Sequence, residues 1–225
     1  MSITSTHIFG FNLLEPVTVF TNVLISAFCL YFYLKLNHLG NQPKLKKYWR
    51  LFFLFFGISA ILGGIAHGFK PYFEPLVFYY VWLSMNLTGL VISYYLLCTN
   101  LEFAKLEKQK KQILYALILF ITVLFSVITL TTNNFLSVKI NGGIAVIISL
   151  ITHFQTYRKG MPGSGYISFG FAFSLLSIVV HSAQFSISEW FNYKDISHVI
   201  MNISLYFIFV GVTRKLGTDS IQLAV

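Results

Sequence analysis

The sequence predicts an all-α integral membrane protein, a bundle of seven transmembrane helices, and three observations carry that prediction. Of 225 residues, 56% are hydrophobic and only 10% charged, with 24 Phe and a mean hydropathy of +0.72, which leaves too little polar surface to wrap a soluble domain of this size. Seven apolar stretches reach the roughly 20 residues a helix needs to cross a hydrocarbon core. They are continuous rather than alternating, so they read as helices and not as the roughly 10-residue strands of an outer-membrane barrel.

The first span is placed at 14–36. The segment before it, MSITSTHIFGFNLLEP, lacks a basic n-region and a small-residue cleavage site, so no removable signal peptide is expected. Asn41-Gln42-Pro43 breaks the chain before the second span at 48–69, and Lys70-Pro71-Tyr72 breaks it before the third at 75–98. A solvated link from Glu102 to Lys111 leads to spans at 112–131 and 136–156. Gly160-Met161-Pro162-Gly163 opens the sixth span at 165–187, and the seventh follows at 196–213. No loop is long enough for a domain, and no internal repeat marks an inverted-repeat transporter. Gly63-Gly64 and Gly142-Gly143 read as places where helices approach closely.

Orientation follows from the basic residues. Lys35, Lys44, Lys46, Lys47, Arg50, Lys105, Lys108, Lys110, Lys111, Arg158, Lys159, Arg214 and Lys215 all fall on one side, thirteen of the sixteen Lys and Arg. That side is expected to be cytoplasmic, with the N-terminus outside and the C-terminus inside. Lys70, Lys139 and Lys194 lie on the other side, together with Glu15, Glu74, Glu189 and Asp195. The net charge of +9 is spread over short loops flanking spans rather than gathered in a stripe, so topology accounts for it and nucleic acid is not an expected partner; membrane lipids are. Cys29 and Cys98 fall toward inner ends of spans and are expected to be free thiols.

With this topology three histidines share one depth. His67 closes the second span, His181 lies near the end of the sixth and His198 opens the seventh, each within about 10 Å of the outer boundary at 1.5 Å per residue. His7 and His38 belong to a terminus and a loop, and His153 ends the fifth span at the opposite face. Ionisable side chains in a bilayer are costly and mark functional sites. Three neutral imidazoles are a usual ligand set for a catalytic zinc, which keeps a fourth position for water. Polar partners for such a site stand nearby in the chain: Asp195 and Asn202 flank His198 at helical spacing, Ser177 lies one turn before His181, Glu15, Thr18 and Asn22 form a stripe on the first span, and Asn86 sits in the third.

Plainer roles fit the same residues. A single interfacial histidine also suits hydrogen bonding to protein or headgroup, and the spacing lacks an HxxxH or HExxH signature. Asp195 fits a helix N-cap. Ser59, in mid-span two, is expected to bond its own backbone. Trp49, Trp82 and Trp190 read as interfacial anchors, and most Phe and Tyr as packing or lipid-facing residues.

The seven-span plan with His67 in the phrase GGIAHGF and His198 in FNYKDISHVI resembles the CREST superfamily of membrane hydrolases, which includes the alkaline ceramidases and the progestin and adiponectin receptors. The same phrases, with Glu15-Pro16-Val17-Thr18, resemble more closely an uncharacterised bacterial family of seven-span proteins. The first resemblance implies zinc ligands at His67 and His198. Where that superfamily has a second histidine four residues further on, this chain has Asn202, so His181 would supply the third ligand. Gly63 stands at the superfamily's serine position, with Ser59 a turn earlier, and only Glu74 lies near its aspartate position. The second resemblance implies the bacterial inner membrane.

The expected function is therefore a zinc-dependent hydrolase of a lipid amide or ester, with His67, His181 and His198 on the metal and Asp195 or Ser177 orienting water or stabilising the oxyanion. Glu15, Asn22, Ser59, Asn86 and Asn202 would line the polar chamber. A non-catalytic binding protein or sensor using the same cluster is the alternative, and a transporter with a histidine proton relay the third reading. A retinal protein is set aside because the seventh span has no lysine between His198 and Thr213, and a G-protein-coupled receptor because Cys98-Thr99-Asn100 stands where an arginine would be.

Overall fold

The computed structural model describes residues 4–8, 10–40, 42–104 and 106–221. A short antiparallel hairpin, β1 (Ser5–Ile8) and β2 (Phe11–Leu14), precedes seven helices. These are α1 (Pro16–Lys35), α2 (Pro43–Gly68), α3 (Pro75–Phe103), α4 (Lys108–Thr132), α5 (Phe135–Arg158), α6 (Ser164–Ala183) and α7 (Tyr193–Ile221). All seven are long and apolar enough to cross a membrane, so the chain is a multi-pass membrane protein with the seven-helix architecture its composition predicts. Asn41 and Lys105, which belong to the expected break and basic link, lie outside the described residues.

Local chemistry sets the helix ends. α1, α2 and α3 each begin on a proline, whose fixed φ suits the first turn and whose missing N–H would be unpaired there anyway. Asn134 caps α5 by accepting from Leu136 N at 2.9 Å. α7 carries a capping box: Asn192 Oδ1 accepts from Lys194 N at 2.9 Å, and Asp195 Oδ2 accepts from Asn192 N at 2.8 Å. Asp195 thus stands inside the first turn, and Asn192 is the cap. Several helices overrun the apolar stretches because flanking residues such as Pro43–Lys47 and Leu101–Phe103 continue the same hydrogen-bonded turns. α6 instead stops short of residue 187: Gln184 turns left-handed at φ 54°, and the chain folds on itself through Tyr193 N to Ser186 Oγ, 3.0 Å. His181 is therefore two residues from the helix end.

Six helices close a ring in the order α1, α2, α3, α5, α6, α7 and back to α1, while α4 lies outside against α3 and α5. Only 11% of the apolar stretch of α4 is buried, against 28–44% for the ring helices. Its Thr122 and Ser126 bond their own backbone, as a helix surrounded by lipid requires.

Glycines decide two of the ring contacts. A Cβ at Gly63 or Gly64 would stand 3.3 or 3.2 Å from the Asn22 side chain, so the bare backbone of α2 packs directly on that side chain of α1. A Cβ at Gly170 would sit 2.6 Å from Ile208 Cγ1 and 2.8 Å from Ser204 O, which holds α6 on α7. Gly142 and Gly143 do not serve close approach: a Cβ at Gly142 would meet nothing nearer than Ser93 Oγ at 3.8 Å, and one at Gly143 nothing within 4 Å. Cys29 and Cys98 are free thiols, both buried. Trp49 is fully buried in the bundle, packed on Phe52 and Phe53.

Candidate functional site

The hairpin lies over the end of the bundle where α1 starts and α2 ends. Tyr72 Oη accepts from Asn12 N at 2.6 Å, and Leu13 fills the space beside Gly68. His7 belongs to this hairpin, opposite Asn12. The hairpin also sets the backbone of Glu15, whose N donates to Thr4 O at 2.9 Å. Glu15 is held left-handed at φ 42°, a conformation costing about 1 kcal/mol or more for a residue with a Cβ. Non-glycine strain of this kind gathers at functional sites. Here it delivers the carboxylate to two helices: Oε2 meets His67 Nδ1 on α2 at 2.5 Å, and Oε1 pairs with Lys194 Nζ on α7. Burial pushes the Glu15 carboxyl up, but hydrogen bonds and electrostatic attraction from His67 and Lys194 outweigh it and hold the group at about 2, below its ordinary 4.5.

From this triangle a polar seam runs down between α1 and α7. Thr18 Oγ1 donates to Asp195 Oδ1 at 2.6 Å, and Thr21 Oγ1 lies 3.0 Å from His198 Nδ1. Asn22 Nδ2 is anchored on Thr18 O at 2.9 Å and reaches the same ring nitrogen at 3.5 Å. Residues 18, 21 and 22 share one helix face, as do 195 and 198, so two amphipathic stripes meet.

Inside the ring is a cavity of about 540 Å³, lined by all six ring helices and by no residue of α4. His67, His181 and His198 all line it, so the shared depth read from the sequence corresponds to a shared wall. Around its mouth runs a collar of side chains from α2, α3, α5, α6 and α7, completed by Glu15 just before α1. The ring centroids of His67 and Trp82 are 6.3 Å apart, Trp82 and Phe135 6.3 Å, Phe135 and His181 6.1 Å, and His181 and Tyr193 5.1 Å; Lys194 and Glu15 close the circle back to His67. Lys139 lines the same mouth, its Nζ 5.7 Å from the centre of the Phe135 ring. Deeper, the walls turn apolar with Phe52, Leu96, Phe171, Leu205 and Ile208, and Gly142 and Gly143 widen them.

The other expected site residues divide. Asn22, Ser59 and Ser177 line the cavity. Ser177 Oγ donates to Ser197 O at 2.9 Å, tying α6 to α7, and Ser59 Oγ donates to Met85 O of α3 at 3.3 Å rather than to its own helix. Glu15, Asp195, Asn86 and Asn202 do not line it. Asp195 is fully buried with both oxygens engaged, Asn86 Nδ2 donates to Asn133 Oδ1 at 3.2 Å, and Asn202 Nδ2 to His198 O at 3.0 Å. Among the described residues, no three His, Cys, Asp or Glu side chains are grouped so as to hold a metal ion. His153 is fully buried at the far end, edge-on to Phe103 at 4.6 Å.

Sequence reasoning missed Trp82, Phe135, Tyr193 and Lys139 as members of the mouth. For Lys139 a signal was present: it is one of three basic residues on the side where basic residues are scarce.

A family model described as a family of unknown function (DUF6962) matches residues 17–216, and the chain belongs to that family. No curated protein and no solved structure matches the chain.

Proposed function

We propose that this member of the family binds one amphipathic lipid-like molecule inside its helical ring, with the polar head at the collar and the chain in the apolar depth. One observation carries the reading: a single cavity grades from imidazole, ammonium and indole groups at its mouth to Phe, Leu and Ile walls below. Its volume of about 540 Å³ lies within the range of small-molecule sites. In the orientation expected from the basic residues, the mouth faces outward. Trp82 supplies the test. A fatty chain brominated near its head should quench tryptophan fluorescence saturably at one equivalent in detergent, and Trp82→Phe should remove that quenching. Unsaturable quenching, or quenching unaltered by Trp82→Phe, would refute the reading.

A zinc-dependent hydrolase of a lipid amide or ester is the second reading, and a specific arrangement favours it. His67 has its Nδ1 held by Glu15 and His198 its Nδ1 held by Thr21, the outer support that metal-binding imidazoles commonly have. The donor types suit zinc, with His67, His181 and His198 as its holders, but their present placement is not a closed ligand set. Bound there, zinc would lower the pKa of a water and polarise a carbonyl. Elemental analysis of protein purified with zinc should then give about one equivalent, lost in His67→Ala and in His198→Ala. Absence of zinc from the parent protein, or full retention in both variants, would end this reading.

A further inference from the structure

The charges at the collar do not balance. Glu15 is the carboxylate of the collar, and both its oxygens are engaged, by Lys194 and by His67. Asp195 is buried away from the cavity, its oxygens taken by Thr18 and by Asn192 N. None of the ion pairs among the described residues includes Lys139, whose neighbour is the Phe135 ring. A half-buried ammonium at the mouth of an apolar cavity, with the collar carboxylate already engaged by Lys194 and His67, lacks the anion that would offset its desolvation.

We infer that Lys139 is the receptor for an anionic headgroup, so that the cavity selects an acidic single-chain amphiphile, a carboxylate or a phosphate, over a neutral one of equal length. The inference rests on the reading above that the cavity takes an amphiphile. Geometry gives the acid a defined seat: Lys139 enters from α5, across the ring from α1, at whose N-terminus Glu15 pairs with Lys194 of α7 and His67 of α2. Trp82, Phe135 and Tyr193 supply low-dielectric walls that strengthen a charge-assisted hydrogen bond there.

The experiment uses the full chain in detergent and three probes sharing one alkyl chain: palmitic acid at a pH where it is ionised, hexadecyl phosphate and cetyl alcohol. Binding is read by displacement of the brominated chain. The parent should favour both acids over the alcohol by about tenfold or more. Lys139→Gln should bind all three alike, its undiminished affinity for cetyl alcohol showing that the cavity is intact, and Lys139→Arg should keep the preference. Tighter binding of one acid than the other identifies the headgroup source, carboxylate or phosphate, and supports the inference either way. Equal binding of alcohol and acids by the parent, or a preference that survives in Lys139→Gln, would overturn the role of Lys139 while leaving the cavity reading standing. Failure of all three probes would overturn both.

Discussion

Thr18 and Asp195, 177 residues apart in the chain, share a 2.6 Å hydrogen bond in the buried seam between the first and last helices. That bond closes the ring of six helices and fixes the register in which His198 meets Thr21 and Lys194 meets Glu15. Asp195 also accepts from Asn192 N, so one carboxylate both caps α7 and fastens it to α1.

Removing that carboxylate strands two buried donors. Asp195→Ala should cost about 1–3 kcal/mol for unsatisfied polar groups and lower the thermal midpoint in detergent. Asp195→Asn, which keeps one acceptor oxygen, should fall between it and the parent. Equal midpoints for parent and Asp195→Ala would contradict the fastening role.

The Glu15 triangle makes a pH-dependent contribution of definite sign. Because the folded carboxyl is held at about 2 against an ordinary 4.5, its contribution to stability is full above pH 4.5 and is lost as pH falls toward about 2. Glu15→Gln lacks that contribution. The gap in thermal midpoint between parent and variant should be widest near neutral pH and close progressively below pH 4.5. A gap that widens on acidification would show the triangle to be wrong.

Glycines at two places should respond oppositely. Gly170→Ala drives a methyl to within 2.6 Å of Ile208 and should cost about 1–3 kcal/mol through overpacking. Gly143→Ala meets nothing within 4 Å and should be neutral or slightly stabilising, since alanine favours helix. Thermal unfolding of both variants checks the pair.

Much of this fold was legible because a bilayer imposes so few solutions. Apolar length fixed the helix count, and prolines 16, 43 and 75 mark helix starts. The shared wall of His67, His181 and His198 was legible through topology, since depth is set by position along a span. Rotation about each helix axis was not. Asn86 and Asn202 have the depth expected of chamber residues but turn to Asn133 and to their own helix, because the side a residue faces depends on which helices pack beside it. The exclusion of α4 from the ring is likewise a packing outcome, although it is the most apolar of the seven helices. The hairpin escaped notice because Ser5–Leu14 is short and gains its order by docking on α2 and Tyr72.

Orientation is open to labelling without background, because Cys29 and Cys98 are both buried. A cysteine placed at Ser188 should react with an impermeant maleimide in intact cells, and one at Gln109 only after lysis. The reverse pattern would put the cavity mouth on the cytoplasmic side.

Native mass spectrometry of the protein released from its own membrane tests the central claim, an amphiphile held within the ring. The parent should carry one lipid-sized adduct per chain, and Gly143→Trp, whose indole would fill the widened wall, should lose it while keeping its fold by circular dichroism. An adduct retained in full by Gly143→Trp, or a parent that carries none and accepts none on titration, would contradict the account.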